Sequence, residues 1–248
     1  MMTRALLMSS SRKDSLGYLE HAGDQLALVL GEHDGRPKPT RALLIPYAAV
    51  STTFEAYEEL AKPAFAAHGV ELTSIHRFDD PVQAVRDAEV IAIAGGNTFA
   101  LLTRLYQAGL IDEIRERVTS GAAAYVGWSA GTNVATPSIR TTNDMPIVEP
   151  PSFTALGLVP FQMNPHFIPG KPVGHNGESR EERLAEFTAI NPDEEVLALY
   201  EGCALWVTGD SARIVGGREA LVFGNAAEVR TIADGESFAL AEIRGAVR

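Results

Sequence analysis

The strongest chemical signal in the chain is a serine between small residues, in Gly127-Trp128-Ser129-Ala130-Gly131, directly after the apolar run Ala122-Ala123-Ala124-Tyr125-Val126. Gly-x-Ser-x-Gly following a strand is the form of a nucleophile elbow, a sharp strand-to-helix turn that lifts a hydroxyl out of the sheet. Strand and helix pack so closely there that only small residues fit on either side, which explains Gly127 and Gly131, and the N–H of Ala130 is aimed at a developing oxyanion. A serine hydroxyl is a poor nucleophile near neutral pH. It needs a base within hydrogen-bond reach, and the base needs a partner that fixes its tautomer.

Six histidines compete for the role of base. His21, His33 and His68 fall on or near helical surface segments and His76 at a strand end, where a solvated or hydrogen-bonded ring is the ordinary reading. His166, in Gln162-Met163-Asn164-Pro165-His166-Phe167, follows Ser129 in the order expected of an elbow hydrolase, and His175, in Gly174-His175-Asn176-Gly177, is its local competitor. Two acids could orient the base. Glu201 follows an apolar strand and so sits where ligand sites of open α/β sheets lie, beyond a strand's carboxyl end. Asp144, in Arg140-Thr141-Thr142-Asn143-Asp144-Met145-Pro146, has the alternative of a simple Asx turn beside Pro146. A second strand end, Ala94-Gly95-Gly96-Asn97-Thr98, opens a helix and could cradle an anion. It is neither a dinucleotide fingerprint nor a Walker loop, and the N–H of Gly96 suits a second oxyanion donor better.

These residues must be held by a scaffold, and the pattern describes one. Short apolar runs at 5–9, 41–46, 70–75, 90–94 and 122–126 alternate with helical periodicity, the signature of βαβ units around a mostly parallel sheet. Phe54, Tyr57, Leu60, Ala64 and Phe65 mark one helix, with Thr52 and Glu55 spaced as a capping box, Pro63 expected to kink or shorten it, and Gly69 as its stop. Residues 136–161 form a long irregular stretch whose Ile139, Met145, Ile147, Val148, Phe153 and Leu156 suggest an ordered, packed loop. Ser179 and Glu182 open a further helix to about Ile190. Strands at 196–200, 204–208, 212–215, 220–223 and 229–232, separated by Gly217, Gly224-Asn225 and Asp234-Gly235, suggest antiparallel hairpins finishing the sheet.

Length and composition fit a single α/β domain over residues 1–248, since 248 residues at 46% apolar content can bury one large core. A net charge of −11 argues against nucleic-acid and membrane-surface partners, which are polyanions. The one cysteine, Cys203, excludes an internal disulfide and a multi-thiolate metal site, and its apolar surroundings mark a buried thiol. The N-terminal residues lack the form of a secretion signal and no run is long enough to cross a bilayer, so a cytoplasmic enzyme is the expectation.

With Gly95-Gly96-Asn97-Thr98, Gly127-Trp128-Ser129-Ala130-Gly131, the block Ile139-Arg140-Thr141-Thr142-Asn143-Asp144-Met145-Pro146-Ile147-Val148 and Asn164-Pro165-His166-Phe167 together, the chain resembles the aspartyl dipeptidases of the S51 serine peptidase family. The match runs from the first strand to about Gly202. The resemblance implies a sheet related to class I glutamine amidotransferases and a cytosolic exopeptidase, without metal or cofactor, cleaving dipeptides with an N-terminal aspartate, a small peptide substrate. It implies Ser129 as nucleophile and His166 as base. Both Asp144 and Glu201 match acids assigned to the family's triad; topology ranks Glu201 first and leaves Asp144 as a charge-relay or substrate-amine candidate.

An aspartyl side chain entering a partly dry pocket requires a cation, best a guanidinium with two parallel bonds. Arg140 is the first choice, and Asn97 a further substrate-binding candidate. The substrate ammonium needs a carboxylate, Asp144 or Glu149. A homodimer is an open expectation. Two rivals stand beside this reading. A cyanophycinase-like or other acyl hydrolase would use the same nucleophile on β-linked aspartyl or ester substrates. A binding protein that lost catalysis on the same sheet would not react with a fluorophosphonate.

Overall fold

Leu-, Ile-, Val- and Ala-rich runs build two sheets, described here from a computed structural model covering residues 2–32, 35, 37–171, 174, 176–225 and 229–245. β1 (Arg4–Met8), β2 (Arg41–Ile45), β3 (Glu71–Ser74), β4 (Val90–Ile93) and β5 (Ala124–Trp128) are parallel and lie in the spatial order β1-β5-β4-β2-β3. β6 (Gln162–Phe167) and β7 (Val196–Tyr200) then begin a separate sheet, paired parallel to each other. β8 (Ala204–Thr208) and β9 (Ser211–Val215) return to the first sheet as an antiparallel hairpin against β1. β10 (Ala220–Phe223) and β11 (Val229–Ile232) complete the second sheet beside β7, and β12 (Ser237–Ala239) closes the edge of the first beside β9. The C-terminal hairpins therefore finish two sheets rather than the one expected from the sequence. Strand-forming residues report that a segment pairs, but not with which partner.

Side-chain alternation sets the layers. Ala5 and Leu7 of β1 face one side of the large sheet and Leu6 and Met8 the other, all fully buried. Helices α1 (Gly23–Leu30) and α2 (Phe54–Ala66) cover the second face through Leu26, Leu30, Ala61 and Phe65. On the first face lie α3 (Pro81–Asp87), α4 (Thr98–Gln107), α5 (Leu110–Thr119) and α6 (Ala130–Ala135), together with Met163, Leu197 and Val222 of the second sheet. Coverage on both faces is why the parallel strands read as continuous apolar runs. α7 (Arg180–Ile190) packs Leu184 against Phe167, Val196, Ala198 and Phe223.

Several local expectations shift. β5 begins at Ala124, because Gly121 turns the chain at φ +70° and Ala123 N–H still donates to Arg117 O at the end of α5. α2 is capped by Thr53, whose hydroxyl accepts from Ala56 N–H, rather than by Thr52. Pro63 does not end α2, which runs on to Ala66 because Ala61 and Phe65 are buried against the sheet and outweigh the lost amide. Ser179 and Glu182 form the expected capping box, and α7 ends at Ile190. In the 136–161 stretch Ile139 and Leu156 are buried, but Met145, Ile147, Val148 and Phe153 are between 37% and 75% exposed, so that part of the loop is not packed. Cys203 is buried, and burial pushes its thiol pKa up. Among the described residues no helix is long and apolar enough to cross a membrane.

Candidate active site

Ser129 occupies the turn between β5 and α6 with φ 53° and ψ −111°, a conformation that costs about 1–3 kcal/mol and persists only when its surroundings fix it. Those surroundings are explicit. A Cβ on Gly131 would lie 2.1 Å from Ile93 O, and one on Gly127 would lie 2.6 Å from Gly131 O. Thr132 Oγ1 donates to Met8 O at 2.6 Å and Ser129 N–H donates to the same carbonyl at 3.1 Å, so the elbow is fastened to β1.

His166 reaches the serine from the other sheet. It lies in β6 at φ 56°, where the register against β7 shifts between Asn164 and Phe167. β6 is an edge strand, and an edge with a bulge is where a proline such as Pro165 is tolerated. The bulge turns the imidazole so that Nε2 sits 2.9 Å from Ser129 Oγ and Nδ1 sits 2.8 Å from Glu201 Oε1. An ionised carboxylate only accepts, so Nδ1 carries the proton toward Glu201 and Nε2 is left as an acceptor for the serine hydroxyl. Glu201 follows β7, held by Gly202, whose N–H donates to Ser10 Oγ at 3.0 Å and whose carbonyl accepts from Gln25 Nε2 at 2.7 Å.

Sequence reasoning missed the residues that join the two sheets. Ser9 Oγ accepts from His166 N–H at 2.8 Å and donates to Leu199 O at 2.9 Å, while Ser10 holds the turn after Glu201. Both are buried polar residues. The available signal was Ser9-Ser10-Ser11 at the carboxyl end of the first parallel strand, where such sheets place their sites.

At the opposite wall Gly96 has φ +135°, and a Cβ there would meet Ala48 O at 2.3 Å. Asn97 N–H donates to that same carbonyl at 2.9 Å, so the glycine pair is pinned against the segment after β2. Among the described residues, no turn or loop backbone hydrogen bond is donated by the N–H groups of Gly96 and Ala130. Between the walls is a cavity of about 300 Å³ lined by Ser11, Ala48, Thr52, Tyr57, Asn97 and Ile147 around Ser129 and His166.

The other sequence candidates are distributed differently. Asp144 Oδ2 accepts from Thr98 N–H at 2.7 Å and from Thr98 Oγ1 at 2.6 Å, so it lies at the N-terminus of α4 and is not brought to the imidazole. An anion there meets unpaired N–H groups and the positive end of the helix dipole. Asn97 caps α4, accepting from Ala100 N–H at 3.0 Å, and donates to Met145 O at 2.9 Å; its amide lines the cavity while tying α4 to the loop. Arg140, the cation expected from the sequence, is engaged within the protein. Its guanidinium is engaged by both oxygens of Glu194 at 2.6 and 2.7 Å, by Asn191 Oδ1 and by Ser138 Oγ, and it stacks on Phe187. The fork that would take a substrate carboxylate is therefore filled. Glu149 is exposed on the loop.

A cation that the sequence reading passed over is linked to the strand that carries His166. Arg180, first residue of α7, donates to Asn143 Oδ1, and Asn143 Nδ2 donates to Pro165 O, next to His166, at 2.8 Å. Burial and the neighbouring Arg183 lower the Arg180 pKa, while Asp144 opposes them. Among the remaining histidines, burial and then Lys13 lower the His21 pKa, and burial followed by Lys38 lowers that of His68. His76 lies against Ser74 and Glu55. His33 and His175 lie outside the described residues.

A hydroxyl on a strained strand-to-helix turn, an imidazole behind it and a carboxylate behind that is the geometry of a serine hydrolase. The chain belongs to peptidase family S51, whose family model matches residues 5–215. It is 49% identical over 223 residues to peptidase E of Shewanella denitrificans, covering 90% of this chain and 92% of that protein. It is 47% identical to peptidase E of Pasteurella multocida, covering 93% and 97% of the two chains. In fold it is similar to the crystal structure of a peptidase from an acI-B1 Actinobacterium, with a TM-score of 0.67 at 20% identity over 96% of this chain and 97% of that one.

Proposed function

We propose that the protein is a serine-type dipeptidase that hydrolyses Asp-Xaa through an acyl-enzyme. Ser129 Oγ attacks the carbonyl carbon of the N-terminal aspartate as its proton passes to His166 Nε2. The Gly96 and Ala130 N–H groups hold the oxyanion, and the imidazolium returns the proton to the leaving amine as the C–N bond breaks. Water then gives its proton to His166 and attacks the ester, releasing aspartate and restoring the serine. Glu201 keeps the ring oriented and stabilises the imidazolium. The observation that carries this reading is the continuous line from Ser129 Oγ through both ring nitrogens of His166 to Glu201, at 2.9 and 2.8 Å.

For specificity, Arg180 replaces Arg140 as the cation for the aspartyl side chain. Its half-buried guanidinium, one side chain away from the Pro165–His166 peptide, supports this. Asp144 presents Oδ1 to the substrate ammonium while Oδ2 remains on Thr98. A cytoplasmic location and a homodimeric assembly belong to the same proposal.

The test compares turnover of Asp-Leu, Leu-Asp, Glu-Leu and N-acetyl-Asp-Leu by wild type, Ser129→Ala and Arg180→Met. Cleavage of Asp-Leu alone is expected, absent in Ser129→Ala and with KM raised about tenfold or more in Arg180→Met, the order of a lost charge-assisted pair. Wild-type turnover by Ser129→Ala would remove the mechanism, and equal turnover of Leu-Asp would remove the specificity.

A further inference from the structure

We propose that Tyr57, backed by Tyr18, is a positioning residue for the oxyanion hole, acting through the Gly95–Gly96 peptide; the inference rests on Ser129 being the nucleophile. Three hydrogen bonds run head to tail from the elbow to that peptide. Trp128 Nε1–H, one residue before the serine, donates to Tyr18 Oη at 2.8 Å. Tyr18 O–H donates to Tyr57 Oη at 2.7 Å, and Tyr57 O–H donates to Gly95 O at 2.8 Å. An indole N–H can only donate and a carbonyl oxygen can only accept, so the directions of both hydroxyl protons between them are fixed.

The Gly95 carbonyl and the Gly96 N–H are opposite ends of one planar unit. Holding the oxygen from behind therefore sets where the N–H points in front. It also polarises the N–H toward the site, because chained hydrogen bonds strengthen one another. A glycine pair needs such a hold, since without side chains its peptide plane is among the freest in a chain. The Tyr18 ring meets each of the other two edge-on, with centroids 5.8 Å apart for Tyr18–Tyr57 and 6.3 Å for Tyr18–Trp128. Burial raises both phenol pKa values, so each remains a donor near neutral pH. Tyr57 comes from α2 and Tyr18 from the segment after β1, which makes the oxyanion wall depend on elements that carry none of the reacting groups.

The test is Tyr57→Phe, which keeps the ring and removes the hydroxyl, with Tyr18→Phe and the double variant beside it. The readouts are the rate of Ser129 modification by a fluorophosphonate and the kinetics of Asp-Leu hydrolysis. Losing an oxyanion donor outright costs about 10²–10³ in kcat; a donor retained but released from its hold should cost roughly tenfold. The expected result is that fall in both labelling rate and kcat for Tyr57→Phe, with KM and the midpoint of the pH profile unchanged. Tyr18→Phe should fall less, and the double variant no further than Tyr57→Phe. An unchanged labelling rate in Tyr57→Phe, a loss confined to KM, or effects that multiply in the double variant would overturn the inference while leaving the nucleophile in place. Wild-type protein inert to the probe would instead remove the nucleophile assignment, and this inference with it.

Discussion

Ser129 and His166 share an uncommon backbone, φ 53° and φ 56°, although one lies on an elbow and the other on a strand bulge. Non-glycine residues adopt such values at a cost, and they do so where the surrounding structure over-determines them. Here the restraints are Met8 O behind Ser129 and Ser9 Oγ behind His166, consecutive residues at the end of β1. The two acids near this pair differ in what they touch, and that difference predicts different kinetics. Glu201→Gln keeps the shape but can donate to Nδ1 and so favours the wrong tautomer; kcat on Asp-Leu should fall roughly a hundredfold or more. Asp144→Asn should instead raise KM. It should also lower the unfolding free energy by about 1 kcal/mol, the scale of a charge and hydrogen bond lost at a helix N-terminus. Steady-state kinetics and urea titration of both variants separate the roles, and a larger kcat loss in Asp144→Asn would reverse the assignment.

Among the elements, the β5–α6 junction has little room for change. Tyr125 O–H donates to Gly131 O at 2.6 Å and Thr132 Oγ1 to Met8 O at 2.6 Å, so the first turn of α6 cannot slide away from the strands to admit a methyl group. Gly131→Ala would press a Cβ against Ile93 O, a backbone atom in the middle of the sheet. The expected cost is about 3 kcal/mol or more, the upper end for overpacking because no flexible side chain can yield. The urea midpoint measures it, and a midpoint equal to wild type would mean that the elbow relaxes. The sequence made this element legible because tight packing restricts residue type within five consecutive positions. It did not make β6 legible as a strand: Pro165 argues against strand pairing, and only an edge position beside β7 accommodates it.

Across the whole molecule, buried carboxylates join segments distant in the chain and make stability depend on pH. Glu58, 1% exposed, is held by Arg77 at 2.7 Å and accepts from Ser74 N–H at 3.2 Å, joining α2 to the end of β3. Glu195 accepts from Arg244 N–H at 2.8 Å and from Arg230 at 3.1 Å, joining β7 to β11 and the C-terminal residues. Burial raises the pKa of each, but the hydrogen bonds and cations outweigh it and leave both below the ordinary carboxylate value. A carboxylate whose folded pKa is depressed contributes stability above its unfolded pKa of about 4.3, and that contribution is lost as pH falls through the folded value. The melting temperature should therefore fall steeply below about pH 5. Glu58→Gln should melt lower than wild type at pH 7 and show a flatter acid limb; identical acid limbs would show that this pair does not contribute. Sequence by itself determined the βαβ scaffold, the elbow serine and the Ser179–Glu182 capping box, because each follows from periodicity or sterics within a few residues. It also brought His166 and Glu201 forward as candidates. Only the tertiary structure decided that Glu201 rather than Asp144 meets the imidazole, that Arg140 is occupied by Glu194, that Ser9 holds the His166 backbone and Tyr57 that of Gly95, and that Arg180 is tied to Pro165 through Asn143. These facts depend on which sheet a strand joins and on what lies across a gap of dozens of residues, and neither leaves a local pattern in the chain.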